Sequence, residues 1–182
     1  MPLRSGFWEL LRYKVRVIGW REALRVGALD FTDNALHVLA KRIPSLAFSP
    51  RSIQIECTTR CNLKCTMCEI AYWTEKGGDL RIASLERMVE HLPGLRRVDL
   101  TGIGESLMNR DFRRGVEFLK AKGIYITLNA NFTLMTERAA RRIVDLGLDQ
   151  IILSLDGATK ATYESIRVGA DFEKVLANAH RL

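Results

Sequence analysis

The 182 residues contain no apolar run near the roughly 18 that a membrane-spanning helix needs, so no span is expected. The first residues also lack an uninterrupted apolar stretch and an obvious cleavage site, so no signal peptide is expected. Histidine is scarce: His37, His91 and His180 fall on helical stretches, none stands near a cysteine, and no role is assigned to them. Outside residues 57–68 there is no cysteine at all. Four cysteines in twelve residues would close only tiny strained loops, which argues against a disulfide framework. Nothing else is extreme. A hydrophobic content of 47% and a charged content of 27% suit a globular protein whose length buries one sizeable core.

The charge is uneven. Residues 1–51 hold nine Lys or Arg and four acids, so they carry +5 of the net +7. Residues 6–42 read as helices in which Trp8, Leu10, Leu11, Val15, Val17, Ile18 and Trp20 alternate with basic residues, and Gly19 and Gly27 mark breaks. Two readings stand for this leader: helices packed on the outside of the main domain, or a basic, Trp-bearing surface for RNA, an acidic peptide or the membrane interface. Pro44 and Pro50 punctuate the passage into the first strand, so the expected division is 1–50 and 51–182.

The chain is organised around Cys57-Thr-Thr-Arg-Cys61-Asn-Leu-Lys-Cys65-Thr-Met-Cys68. It leaves the alternating run Ser52–Glu56, which reads as a strand. A loop crowded with thiols at a strand end is suited to soft metal. Cys57 leaves two possibilities open. As a fourth ligand it would make a zinc or electron-transfer iron–sulfur module. Its x3 spacing to Cys61 is wider than that of zinc knuckles, though, and a free cysteine at a strand end is by default a small buried hydrophobe. Lys64 reads as a solvated charge.

From there strand and helix alternate: strands at about 52–57, 96–101, 124–129 and 150–155, with helices at about 84–92 (Ser84 as N-cap), 110–122 ending at Gly123, 136–146 ending at Gly147, and one or two more through Leu182. This pattern predicts a parallel sheet with helical crossovers. Each group of informative polar residues falls just past a strand: the cysteines, then Gly102-Ile-Gly104-Glu105, then Asn129 and Asn131, then Ser154 and Asp156. In a β/α barrel all strand ends open on one face, where such folds place their sites.

The C-x3-C-x2-C run Cys61, Cys65, Cys68 resembles the signature of the radical S-adenosylmethionine (SAM) enzymes. The resemblance is to the SPASM-type and molybdenum-cofactor groups and covers about residues 52–182. It implies a partial (β/α) barrel of about four βα units after the basic helical leader. It implies a [4Fe-4S] cluster on these three thiolates, with the fourth iron open to SAM, whose reductive cleavage gives a 5′-deoxyadenosyl radical that takes hydrogen from substrate. Leu100-Thr-Gly102-Ile-Gly104-Glu105-Ser106 is similar to the family's Gly-Gly-Glu-Pro motif, with Ile103 between the glycines and Ser106 for the proline. Glycines permit close backbone approach and positive φ, and Glu105 would face the SAM ammonium group. Leu128-Asn129-Ala-Asn131-Phe132 is similar to Thr-Asn-Gly, with Phe132 for the glycine; its asparagines would meet the ribose, or else form an Asx-turn. Leu153-Ser154-Leu-Asp156-Gly157 with Tyr163–Arg167 is similar to Ser-Leu-Asp-Gly…Ile-Arg-Gly. Ser154 and Arg167 would meet the ribose or carboxylate, and Asp156 would shape the turn. Met67 takes the position beside the adenine, or fills the core.

The resemblance further implies an electron donor such as flavodoxin or ferredoxin and, with reduced cysteines, a cytoplasmic setting. The family's core usually has six strands, so four units read as part of a longer protein with an open edge on strand four. Peptide, nucleotide, RNA and lipid-linked substrates all remain open. The rivals are a non-catalytic Fe–S or zinc module using Cys57, and a basic RNA-interacting protein whose cluster is structural.

Overall fold

In the computed structural model, residues 49–182 are described, together with Leu24, Ala28, Phe31 and Ala35, which are helical. The other leader positions lie outside the described residues, and the fold is that of the unit Pro50–Leu182.

Four strands form one parallel sheet in sequence order: β1 Ser52–Gln54, β2 Arg97–Asp99, β3 Tyr125–Ala130 and β4 Gln150–Leu153. The helices are α1 Ile82–Glu90, α2 Phe112–Ala121, α3 Glu137–Asp145, α4 Lys160–Ile166 and α5 Phe172–Ala179. The sheet is open, and the architecture is the expected partial (β/α) barrel. The strands are shorter than their apolar runs suggest. Just beyond β1 and β2, the N–H groups of Ile55 and Leu100 still donate across the sheet to Asp99 O and Thr127 O at 2.8 Å, and both side chains pack in the core with Cys57.

β3 is the most buried strand, as a central position in a parallel sheet requires. Ile126 and Leu128 pack there with Val98 of β2, Val116 and Leu119 of α2, and Val175 of α5, all without solvent exposure. On the edge strand β4, by contrast, Ile152 is 44% exposed. Gly115 of α2 faces Leu85 of α1, where a Cβ would sit 3.1 Å from Cδ2, so these two helices approach closely.

The helix ends follow local chemistry. Thr136, Thr159 and Asp171 cap α3, α4 and α5, each side chain accepting a main-chain N–H three residues on. Gly123 and Gly147 follow α2 and α3 at φ of 70° and 69°, the left-handed stop expected there. One expectation fails: Ser84 is not the cap of α1, which begins at Ile82. The N–H of Ile82 donates instead to Asp111 Oδ2 at 3.0 Å, a partner the local sequence cannot supply. Among the described residues no helix is long and apolar enough to cross a membrane.

Candidate active site

The loop after β1 is held by its neighbours as well as by its own turns. Thr58 Oγ1 donates to Asp79 Oδ1 at 2.7 Å, and Arg60 grips the same carboxylate through Nε at 3.0 Å and Nη2 at 2.7 Å. Arg60 Nη2 also donates to the Met108 carbonyl at 2.5 Å, and the Arg60 carbonyl accepts Glu105 N–H at 2.8 Å. Farther along, the N–H groups of Lys64 and Thr66 donate to the carbonyls of Val168 and Ile166 at 3.0 and 2.9 Å. The thiol loop is thus clamped between the β2 loop and the end of α4.

Gly104 shows why the β2 loop is glycine-rich. A Cβ there would lie 2.7 Å from the Thr58 carbonyl carbon and 2.8 Å from Arg60 O, which are main-chain atoms that cannot rotate away. At Gly102 the clash would be with the Glu56 side chain, whose Oε1 accepts Ile103 N–H at 2.6 Å. Neither glycine is among those with positive φ. The positive φ expected of them is therefore not found: Gly104 packs on the main chain of the cysteine loop and Gly102 on the Glu56 side chain.

Glu105 follows, 3% exposed. Its Oε2 accepts the N–H of Asn131 at 2.8 Å and its Oε1 that of Leu107 at 3.4 Å. Burial pushes its pKa up, while these two N–H groups and the positive charge of Arg167 pull the other way.

The two asparagines after β3 part company. Asn131 makes the Asx-turn: its Oδ1 accepts from Thr133 N at 2.9 Å and Thr133 Oγ1 at 2.6 Å, and its Nδ2 donates to Asn62 Oδ1 at 3.0 Å. Asn62 Nδ2 closes the set on Thr133 Oγ1 at 2.7 Å. Asn129 Oδ1, in contrast, is buried without a partner. Phe132, where the family has glycine, holds φ at 59°, so the backbone there has the left-handed form that glycine favours.

All the expected site residues except Asp156 line one cavity of about 350 Å³. Cys61, Cys65, Met67 and Cys68 form one side. Gly102, Gly104, Glu105, Asn129, Asn131 and Ser154 come from the other three strand ends, and Arg167 from the end of α4. Met67 is 57% exposed, so the core-filler alternative does not describe it. Leu63, Ile70, Thr101, Ile103 and Ala130 complete the lining; no signal in the sequence singles them out, because nothing but position marks them. Asp156 stands behind Arg167, its Oδ2 accepting from Nε at 2.5 Å. Cys57 is absent from the lining. It is 7% exposed in the hydrophobic core, and burial pushes its thiol up to about 11.

Desolvation also raises Cys61 and Cys65, offset at Cys61 by the Leu63 N–H and at Cys65 by Arg167. A metal that binds these thiols must therefore displace protons. Among the described residues no three His, Cys, Asp or Glu side chains converge on a single ion. The thiols instead spread along one cavity wall, and a cube takes each thiolate on a different iron. A larger cavity of about 540 Å³ lies between α2 and α3, but it contains no cysteine and none of the strand-end polar residues, so the smaller one is the candidate site.

Comparison with known proteins agrees with this geometry. The radical SAM superfamily matches residues 55–182. A cofactor-modifying protein for the tungsten-containing aldehyde ferredoxin oxidoreductase of Pyrococcus furiosus is 29% identical over 130 residues, covering 68% of this chain and 36% of its own length. A probable GTP 3′,8-cyclase of Methanococcus maripaludis is 33% identical over 129 residues, covering 69% and 43%. The structure of anSMEcpe with bound AdoMet superposes with a TM-score of 0.60 at 29% identity, covering 72% of this chain and 40% of that one. The chain thus spans less than half the length of these relatives. Superfamily members use a [4Fe-4S] cluster and SAM, and a three-thiol wall facing a buried carboxylate and an unpartnered amide oxygen fits that pair. With the family matched over residues 55–182, the chain belongs to the radical SAM superfamily.

Proposed function

We propose that the cavity is the site of radical SAM chemistry, with Cys61, Cys65 and Cys68 holding the cluster and the other three strand ends holding SAM. The observation that carries this reading is the convergence on one 350 Å³ cavity of three thiols, and no fourth, with polar groups from every strand end. When bound, the cluster supplies the electron that splits SAM into methionine and a 5′-deoxyadenosyl radical able to take hydrogen from substrate.

The chain's own residues have separate tasks. Glu105, fixed at both oxygens, presents negative charge to the SAM ammonium group. Asn129 offers its unpartnered Oδ1, and Ser154 its hydroxyl, to the ribose. Asn131 holds the loops in place. Met67 offers an apolar surface to the adenine. Leu63, Ile70 and Ile103 give the wall an apolar part that limits water around a reactive radical. An external electron donor such as flavodoxin or ferredoxin belongs to this reading. So do a cytoplasmic setting and the division into a basic leader, 1–50, and a core, 51–182.

The test is iron and sulfide content after anaerobic reconstitution of single variants. Cys61→Ala, Cys65→Ala and Cys68→Ala are each expected to lose the cluster, whereas Cys57→Ala keeps it. Cluster loss in Cys57→Ala, in protein that remains folded, would instead support the four-cysteine module.

A further inference from the structure

Asp156 is outside the cavity wall, yet it controls a residue within it. Arg167 lends both Nε and Nη2 to Oδ2 of Asp156, each at 2.5 Å, which spends the edge of the guanidinium best suited to a carboxylate ligand. Its remaining nitrogen, Nη1, points to Cys65 Sγ at 3.9 Å. The backbone builds this meeting. Lys64 N–H donates to Val168 O and Thr66 N–H to Ile166 O, an antiparallel pairing that sets Cys65 directly opposite Arg167. The arginine side chain is 13% exposed, so its charge acts in a poorly screened setting.

We infer that Asp156 is a positioning residue that turns Arg167 onto Cys65, so that a hydrogen bond and positive charge at this sulfur raise the reduction potential of the cluster. The inference rests on the three-cysteine reading and adds to it a role for an ion pair beside one ligand. One-electron reduction adds negative charge that is shared by the thiolate sulfurs. A donor and a cation at sulfur stabilise the reduced form more than the oxidised one, and hydrogen bonds to sulfur are a known determinant of cluster potential. Asp156 by itself acts the opposite way, because a nearby carboxylate opposes added electron density. Its two influences therefore differ in sign.

That difference supplies the test: a redox titration of the reconstituted chain, followed by electron paramagnetic resonance, without SAM. Arg167→Gln is expected to lower the ratio of reduced to oxidised cluster at a fixed poise about tenfold, or about 59 mV for a one-electron couple. Arg167→Lys, which keeps charge but loses the fork, falls between this and the parent. Asp156→Ala moves the potential downward as well, although loss of an acid alone would move it upward. The double variant goes no lower than Arg167→Gln, as expected when one residue acts through the other. An upward shift in Asp156→Ala, or an unchanged potential in both Arg167 variants, overturns the inference while the parent's cluster leaves the three-cysteine reading intact. A parent chain that assembles no cluster overturns both.

Discussion

The main-chain N–H of Asn131 donates to Oε2 of Glu105 at 2.8 Å, so the exit of β3 fixes the carboxylate at the exit of β2. The Asn131 side chain meanwhile ties down Asn62, beside Cys61, at 3.0 Å. One residue therefore sets the spacing of three loops around the cavity. Asn131→Ala keeps the first bond and loses the second, leaving Asn62 and Thr133 short of partners. The expected cost is about 1–3 kcal/mol. It is read from denaturant unfolding of the variant, together with weaker SAM binding; unchanged values for both would remove Asn131 from this role.

Gly104→Ala brings a methyl group against the main chain of Thr58 and Arg60. Overpacking of this kind costs about 1–3 kcal/mol and here displaces the cysteine loop. Lower thermal stability and reduced iron incorporation are expected together. Gly78→Ala, with nothing within 4 Å of the new Cβ, is the control and leaves both unchanged.

These two residues mark the limit of what is legible in the sequence. The cysteine spacing and the alternation of strand and helix are enough to place the thiols, Glu105, Asn129 and Ser154 at strand ends, because a parallel sheet brings such ends to one face. The roles of Gly104, Asn131 and Asp156 are not legible in the same way, because each depends on contacts between loops distant in sequence. Gly104 packs on residues 58 and 60, and Asn131 bonds a residue 69 positions away. The bidentate grip of Arg60 on Asp79 is hidden for the same reason.

Glu105 gives a pH dependence. Burial raises its folded pKa above the ordinary 4.5, so the folded chain holds this proton more tightly than the unfolded one. Its contribution to stability is present below the unfolded value and is lost as pH rises through the folded value. Glu105→Gln removes that loss. Chemical denaturation from pH 4 upward is expected to show a flatter profile in the variant, with SAM affinity reduced. A variant profile parallel to the parent's would contradict the assignment.

Cys57, with its thiol pushed up to about 11 and buried in the core, is expected to resist alkylation at neutral pH. Mass spectrometry of the apo chain treated with iodoacetamide should show early adducts at the half-buried Cys61 and Cys68, with Cys57 modified only on unfolding. Early modification of Cys57 would place it with those two.

The most direct measurement is electron paramagnetic resonance of the anaerobically reconstituted and reduced chain, with and without SAM. A [4Fe-4S]+ signal that shifts when SAM is added is the predicted result, since it shows an iron that carries no thiolate and that SAM reaches. A signal indifferent to SAM, or zinc bound in place of iron, would contradict the account.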